Sequence, residues 1–357
     1  MPGVPKRRIF ESGFLGASFF FVLSGYVLAH VYLRSDKPTA AWRKFYVARL
    51  ARVYPAYALS LLIQFPLIAW VLLRHRSPTD TASIALRTLG AHILLLQAWW
   101  PGLAWRWNQP SWSISAEAFF YLLFPVLGIW SLRRRNPIRI LMLIGLGYVL
   151  MVVPAVALLF HGAGWNESWP RPDSFSFVAF APIFRIPEFM MGMFLSILQR
   201  RVVSVWAPAR VTQLGKFATY LGLATAAVVI FYGRWIPFVI RYNGIGDLAF
   251  AEIIFGLAVA PTLLSRTLSQ PFLVLLGEAS YSIYILQSPI MDYFRPMTTR
   301  FHGPGLFAAY LATLIVSGIF CFRSIESPLR HRINGWYASA RLASRASTPE
   351  RSSVWSS

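Results

Sequence analysis

The sequence predicts an all-α fold, a polytopic bundle of membrane-spanning helices, and three observations predict it. Of its 357 residues 56% are hydrophobic and only 13% charged, with a mean hydropathy of +0.53, too apolar to leave a soluble domain a wettable surface. Residues 14–33, 54–73, 140–160 and 306–322 contain no Asp, Glu, Lys or Arg, and each approaches the roughly 20 residues a helix needs to cross hydrocarbon. These runs are continuous rather than alternating, which argues against the strands of an outer-membrane barrel.

Taken in order, full spans are expected at residues 13–33, 54–73, 113–132, 140–160, 177–198, 217–232, 248–264, 273–290 and 306–322, about nine in all. Residues 84–100 are also apolar but end in Trp99, Trp100 and Pro101. Crossing there would break the charge alternation, so this stretch is expected to be re-entrant or interfacial. Residues 1–337 then form one membrane domain, and residues 338–357, rich in Ser and Arg, a disordered cytoplasmic tail. A basic piece before it, with Trp336 and Tyr337, is expected on the membrane surface.

Lys and Arg number 34 against 13 Asp and Glu, a net charge of +21. The basic residues gather between apolar runs: Arg34 to Arg52, Arg133 to Arg139, Arg200 to Lys216, and after Phe322. This is the positive-inside pattern of a multi-pass protein facing anionic lipid, not a nucleic-acid surface. With nine spans every strong cluster falls on the cytoplasmic side, and the loop 161–176 faces outward. The same alternation puts Lys6, Arg7 and Arg8 outside, against the rule. A further helix upstream of Met1 is therefore expected, with a signal peptide cleaved near Ala29 as the alternative.

Polar groups inside spans are costly to keep, so function is sought there. Glu117, near the start of an apolar helix, either positions substrate and orients a base or pairs with an arginine to hold helices together. Arg185 and Glu188 share a helix face and can pair with each other or bind substrate. Arg49 and Arg52, also three apart, present two guanidiniums for phosphates at the mouth of a span, or serve as plain topology charges. Tyr281, Ser282, Tyr284 and Gln287 offer hydrogen bonds to a sugar or pack as aromatic and polar neighbours. Glu326 and Arg330 cap the last span.

Of six histidines only His30 lies in a confident span. The single cysteine, Cys321, excludes an intrachain disulfide and a Cys-type metal site. No Walker glycine loop, Gly-x-Ser-x-Gly elbow or His-Glu-x-x-His occurs, so ATP-driven, serine-hydrolase and zincin chemistries have no support.

Taken together the blocks resemble the acyltransferase 3 family of bacterial membrane O-acyltransferases. They are Phe19-Phe20-Phe21-Val22-Leu23-Ser24-Gly25, Arg49-x-x-Arg52, the Trp112-Ser-x-Ser-x-Glu117 block, residues 185–192, residues 277–289, and Glu326-x-Pro-x-Arg330, in that order over most of the chain. The resemblance implies a bundle of about ten spans that takes an acyl group, usually acetyl, from acyl-CoA and delivers it to a hydroxyl of a surface or exopolysaccharide sugar at the bacterial inner membrane. It implies acyl-CoA as co-substrate with no bound cofactor. It puts Arg49 and Arg52 on the CoA phosphates, Glu117 in catalysis, and Trp112, Arg185, Glu188, Tyr281 and Ser282 on substrate. The family's first helix carries its catalytic His, and that is the helix the charge alternation finds missing; His30 is the candidate substitute base. Gln287 stands where the family often has His. A transporter or flippase, which should show inverted repeats not visible here, and an inactive assembly partner of a polysaccharide export system are the competing readings.

Overall fold

A computed structural model describes residues 15–33, 42–75, 78–132, 136–161, 173–299 and 303–346. The described residues are helical, with no strand among them. In chain order the helices are α1 (Leu15–Tyr32), α2 (Trp42–His75), α3 (Pro78–Ile93), α4 (Pro101–Ala104), α5 (Trp112–Leu132), α6 (Pro137–Phe160), α7 (Asp173–Phe180), α8 (Pro182–Val205), α9 (Pro208–Tyr232), α10 (Phe238–Tyr242), α11 (Asp247–Val259), α12 (Leu263–Leu268), α13 (Pro271–Phe294), α14 (Pro304–Cys321) and α15 (Ser327–Ala346). Prolines open α6, α8 and α9 at the first turn, where the missing N–H costs nothing. Prolines inside helices, at 55, 66, 125, 154, 187 and 289, are of the kind bundles tolerate within a membrane.

Seven helical stretches among the described residues are long and apolar enough to cross a bilayer, and the protein is a multi-pass helical membrane bundle. The other two expected spans correspond to α11 and α13. With 13 residues α11 rises only about 20 Å, while α13 has 24 residues but carries Glu278, Gln287 and Asp292. The stretch expected to be re-entrant breaks after α3: Leu95 takes a left-handed φ of 57°, and short 3-10 turns follow at Gln97–Trp99 and Gln109–Ser111.

At the other end the expectation of a tail from residue 338 is corrected. A π turn at Phe322–Glu326 joins α14 to α15, whose helix continues to Ala346. Only residues 347–357 of the expected tail lie outside the described residues, as do Lys6 to Arg8, Arg34, Arg133 to Arg135 and most of the loop 161–176.

Contacts divide the chain into two compact units, residues 1–39 with 67–274, and residues 40–66 with 275–357. In the first unit α1 lies along α8. Ser18 pairs with Glu188, Tyr26 with Gln199, and Ala29 with Arg200, so both chains advance together and the helices run parallel. Their backbones approach so closely at Gly25 and Gly192 that a Cβ on either would collide with a carbonyl oxygen, of Phe189 and Val22 respectively. Small residues at such a crossing are how membrane helices gain contact area. A buried aromatic cluster fills the adjoining space: Phe21 packs edge-on against Trp112 and Phe120, and Phe120 stacks on Phe189. Ser24 bonds Glu117, Tyr32 packs on Phe124 and Leu33 lies against Gly128, so α5 runs parallel to α1 as well, whereas Gly222 against Ala249 and Gly215 against Val259 make α9 and α11 antiparallel.

In the second unit α2 and α13 run parallel. Tyr281 bonds Val53, Gln64 bonds Asp292 and Tyr293 bonds Ile63, at sequence offsets of 228, 228 and 230. Gly318 packs on Ile283 and Tyr310 bonds Gln287, so α14 returns antiparallel to α13. Within each unit these directions are the ones that the alternation of basic loops requires.

Candidate active site

In the first unit Glu117 sits a turn and a half into α5, buried at 3% exposure. Its Oε1 accepts the hydroxyls of Ser24 from α1 (3.2 Å) and of Tyr121, one turn on. Two neutral donors on one oxygen stabilise and aim a carboxylate. The Phe-Val-Leu-Ser-Gly block and the Trp-Ser-x-Ser-x-Glu block therefore meet through Ser24 and Glu117. Gly25, beside Ser24, is what lets α1 approach α8.

His30 is not brought to this carboxylate. Six residues separate it from Ser24, about 9 Å along the helix, and its ring stacks on Tyr26 at 5.9 Å.

Arg185 and Glu188, one turn apart at the start of α8, are both buried, at 1% and 0% exposure. Nη1 of Arg185 contacts Oε1 of Glu188 at 2.6 Å, and its Nε donates to the carbonyl of Ala179 at 2.8 Å. The guanidinium lies 5.5 Å from the ring centroid of Trp112, which itself packs on Phe180 at 4.8 Å. Ser18 of α1 donates to Oε1 of Glu188 at 3.0 Å. Trp112, Arg185 and Glu188 thus form one assembly, held by a buried ion pair.

Asp247, the first residue of α11, belongs to this assembly and was not singled out from the sequence. It is fully buried, and Arg185 and Glu188 lie within electrostatic range of it. The carbonyl of Gly244 accepts both the Asp247 amide (3.1 Å) and the Tyr148 hydroxyl (2.9 Å). Gly244 has φ +99°, and a side chain there would strike Met151, so the turn needs glycine. Two buried carboxylates consequently face one guanidinium. The sequence signal was an acid opening an apolar run, but only helix packing joins it to residues 185–188.

In the second unit the other candidates collect around α2 and α13. Arg49 and Arg52 occupy one face of α2, with Arg49 over the ring of Phe45 at 5.9 Å. Tyr281 donates its hydroxyl to the carbonyl of Val53, next to Arg52, at 2.7 Å. Ser282 donates to Oε2 of Glu326 at 2.7 Å. Glu326, expected as a cap, is 1% exposed and lies within electrostatic range of Arg52 and Arg330. The hydroxyls of Tyr281 and Ser282 thus bond within the protein, to the backbone of Val53 and to Glu326. Among the described residues no group of three or more His, Cys, Asp or Glu is placed to hold a metal ion.

The sequence model of the acyltransferase 3 family, described as an acyltransferase domain, matches residues 2–322. The chain belongs to the acyltransferase 3 family. It is 29% identical over 349 residues to acyltransferase MdmB of Streptomyces mycarofaciens, covering 91% of this chain and 83% of that protein. It is also similar to the putative peptidoglycan O-acetyltransferase YrhL of Bacillus subtilis, at 24% identity over 91% of this chain and 54% of that protein. With O-acetyltransferase OatA of Staphylococcus aureus (strain MRSA252) it shares 25% identity over 94% of this chain and 55% of that protein. This chain therefore spans most of the first relative but about half the length of the other two. No solved structure matches it. The protein is a multi-pass membrane acyltransferase.

Proposed function

We propose that this acyltransferase takes an acyl group, by default acetyl, from acyl-CoA on the cytoplasmic face of a bacterial inner membrane and transfers it to a hydroxyl of a surface polysaccharide or its lipid-linked precursor. The observation that carries the reading is the seating of Glu117: an acid held inside an apolar helix by Ser24 and Tyr121, which joins two of the six blocks that carry the resemblance. The names of the relatives favour O-acyl transfer, and two of them name peptidoglycan or O-acetyl chemistry, which keeps a cell-wall glycan among the acceptors.

In the step itself the hydroxyl oxygen attacks the thioester carbonyl, the C–O bond forms as the C–S bond breaks, and the hydroxyl proton ends on the CoA sulfur. A buried carboxylate favours removal of that proton directly or by orienting another base. Arg49 and Arg52 supply bidentate donors to the CoA phosphates, with Glu326 within electrostatic range of Arg52. Trp112, Arg185 and Glu188 line the acceptor side.

The test is transfer of label from acetyl-CoA in membranes containing this chain, beside the same chain extended through its upstream reading frame. Label in a glycan, with free CoA in equal amount, supports the reading. Stable insertion of both forms with neither label nor CoA release overturns it and moves a transport role ahead.

A further inference from the structure

In the second unit the start of α2, the start of α13 and the end of α14 lie at one end, because α2 and α13 run parallel and α14 returns. Buried residues mark the face of α14 that meets α13: Tyr310, Leu314, Gly318 and Cys321. Their steps of three and four are those of a regular helix face. The next buried residue is Glu326, five on from Cys321. The π turn Phe322–Glu326 supplies the extra residue, since each of its bonds spans five residues rather than four. In an uninterrupted α-helix that position would fall to Ser324 or Ile325, and Glu326 would be turned off the face. The π turn thus carries Glu326 to Ser282, which donates to it at 2.7 Å. Turns of this kind are frequent at functional sites.

Arg330 follows Glu326 by one helical turn, on the same side of α15. Glu326 lies within electrostatic range of both Arg330 and Arg52. Arg52 adjoins Val53, whose carbonyl takes the Tyr281 hydroxyl, and Tyr281 adjoins Ser282, which bonds Glu326. One chain of contacts therefore runs from α2 through α13 to Glu326, with Arg330 beyond it. Arg52 and Arg330 are both partly exposed, whereas Glu326 is buried. Residues 327–346 hold no Asp or Glu, so Arg49, Arg52 and Arg330 stand as three cations around the buried anion Glu326.

Two arginines one turn apart on α2 suit the joined phosphates of a diphosphate. Arg330 comes from another helix, and the carboxylate that neighbours both it and Arg52 repels phosphate from the space beside itself. A matching ligand carries a diphosphate and, apart from it, a further phosphate. CoA has that pattern, with a diphosphate in its chain and a separate phosphate on the ribose 3′-oxygen.

We propose that Arg330 binds the 3′-phosphate of the acyl-CoA donor while Arg49 and Arg52 hold its diphosphate, and that Glu326, brought there by the π turn, keeps the two phosphate seats apart. This rests on the reading above that acyl-CoA is the donor. It names the residue that distinguishes CoA from donors lacking the 3′-phosphate.

The test uses the whole chain in phosphatidylcholine nanodiscs. Binding of acetyl-CoA and of acetyl-3′-dephospho-CoA is measured by calorimetry, and acetyl transfer is followed on the same discs. The unaltered protein should bind acetyl-CoA about tenfold or more tightly than the dephospho form. Arg330→Gln should weaken acetyl-CoA to the level of the dephospho form and leave the dephospho form where it was. Arg330→Lys should restore part of the preference, which guards against a folding defect in Arg330→Gln. Arg52→Ala should weaken both donors, because both keep the diphosphate. Arg332→Gln removes an exposed charge two residues on and should change neither.

Retention of the preference in Arg330→Gln, or an equal loss for the two donors, would overturn the proposal. Unchanged donor binding in Arg330→Gln, with weaker retention of phosphatidylglycerol added to the discs, would assign Arg330 to a lipid headgroup and overturn it too. Selective binding as expected with no acetyl moved keeps the phosphate seats and sinks the acyl-transfer reading. Transfer from both donors at equal kcat/KM in the unaltered protein does the reverse, and binding of neither donor sinks both.

Discussion

Tyr281 donates its hydroxyl to the backbone carbonyl of Val53, at 2.7 Å and across a sequence offset of 228 residues. That bond falls beside Arg52, and the pairs Gln64–Asp292 and Tyr293–Ile63 repeat the register about three turns further along the same two helices. The two guanidiniums on α2 are therefore held at a fixed height against α13 rather than left on a free helix end.

Removing that bond should be measurable. Tyr281→Phe is expected to cost about 1 kcal/mol, the net worth of a buried neutral hydrogen bond. Thermal unfolding in detergent reads it, and an unchanged midpoint would mean that packing alone sets the register. Because that bond holds the backbone at Val53, the neighbour of Arg52 in sequence, KM for acetyl-CoA should rise while kcat holds.

Arg49→Ala and Arg52→Ala should each raise KM for acetyl-CoA about tenfold or more, equivalent to about 1.4 kcal/mol of lost binding. Lysine at either position should recover only part, since it keeps the charge but not the planar fork. An acyl-pantetheine donor, which lacks the nucleotide phosphates, is the control. Its kinetics should be the same in wild type and variants; a loss as large as that for acetyl-CoA would remove phosphate binding from these residues.

Glu117→Gln preserves the shape of the side chain and removes the carboxylate. The expected result is a fall in kcat of about 10²–10⁴-fold, the usual range for a group that moves or orients a proton, with little change in KM. Tyr121→Phe should fall less, because Ser24 still bonds the same oxygen. A pH–rate profile separates the roles. Loss of the ascending limb in Glu117→Gln marks a carboxylate that titrates in the reaction, and an unchanged profile with lowered stability marks a packing acid.

The ion pair of Arg185 and Glu188 should behave as a unit. Arg185→Met or Glu188→Gln alone is expected to destabilise by about 3–5 kcal/mol, because a buried charge loses its partner. Arg185→Met combined with Glu188→Leu should be better tolerated than the sum of the single changes. A thermodynamic cycle over the four proteins measures the coupling, and strict additivity would show that the two side chains do not act on each other.

The close approach of α1 and α8 predicts opposite outcomes at two kinds of glycine. Gly25→Ala and Gly192→Ala force a methyl into a carbonyl and should cost about 1–3 kcal/mol, with poor recovery of folded protein. In α6, Gly145 has nothing within 4 Å of where a Cβ would sit, so Gly145→Ala should be neutral or stabilising by about 0.4–1 kcal/mol. Fluorescence-detected size exclusion ranks the three.

The sequence by itself determined that this chain is a helical membrane bundle. A run of apolar residues long enough to cross hydrocarbon has few other fates, and the basic loops set the relative directions of helices that the packing reproduces, as α1 beside α8 and α2 beside α13 show. It also picked out Glu117, Arg185 and Glu188, because a charged group in an apolar run carries its own cost wherever the helix goes. What the sequence left undetermined was which helix meets which. Side-chain periodicity fixes the face of one helix but not its neighbour, so Ser24 on Glu117, Tyr281 on Val53 and Ser282 on Glu326 were not legible. Nor was the membership of Asp247 in the cluster at Arg185, since it reads as the first residue of a short helix until a glycine turn at Gly244 carries it there. The end of α15 was misjudged for a related reason: a basic, Ser-rich composition describes exposure to water and does not by itself prevent a helix from continuing. Those pairings were decided by tertiary packing, by small residues at Gly25 and Gly192 that allow close crossings and by hydrogen bonds that the apolar surroundings make costly to leave unmade.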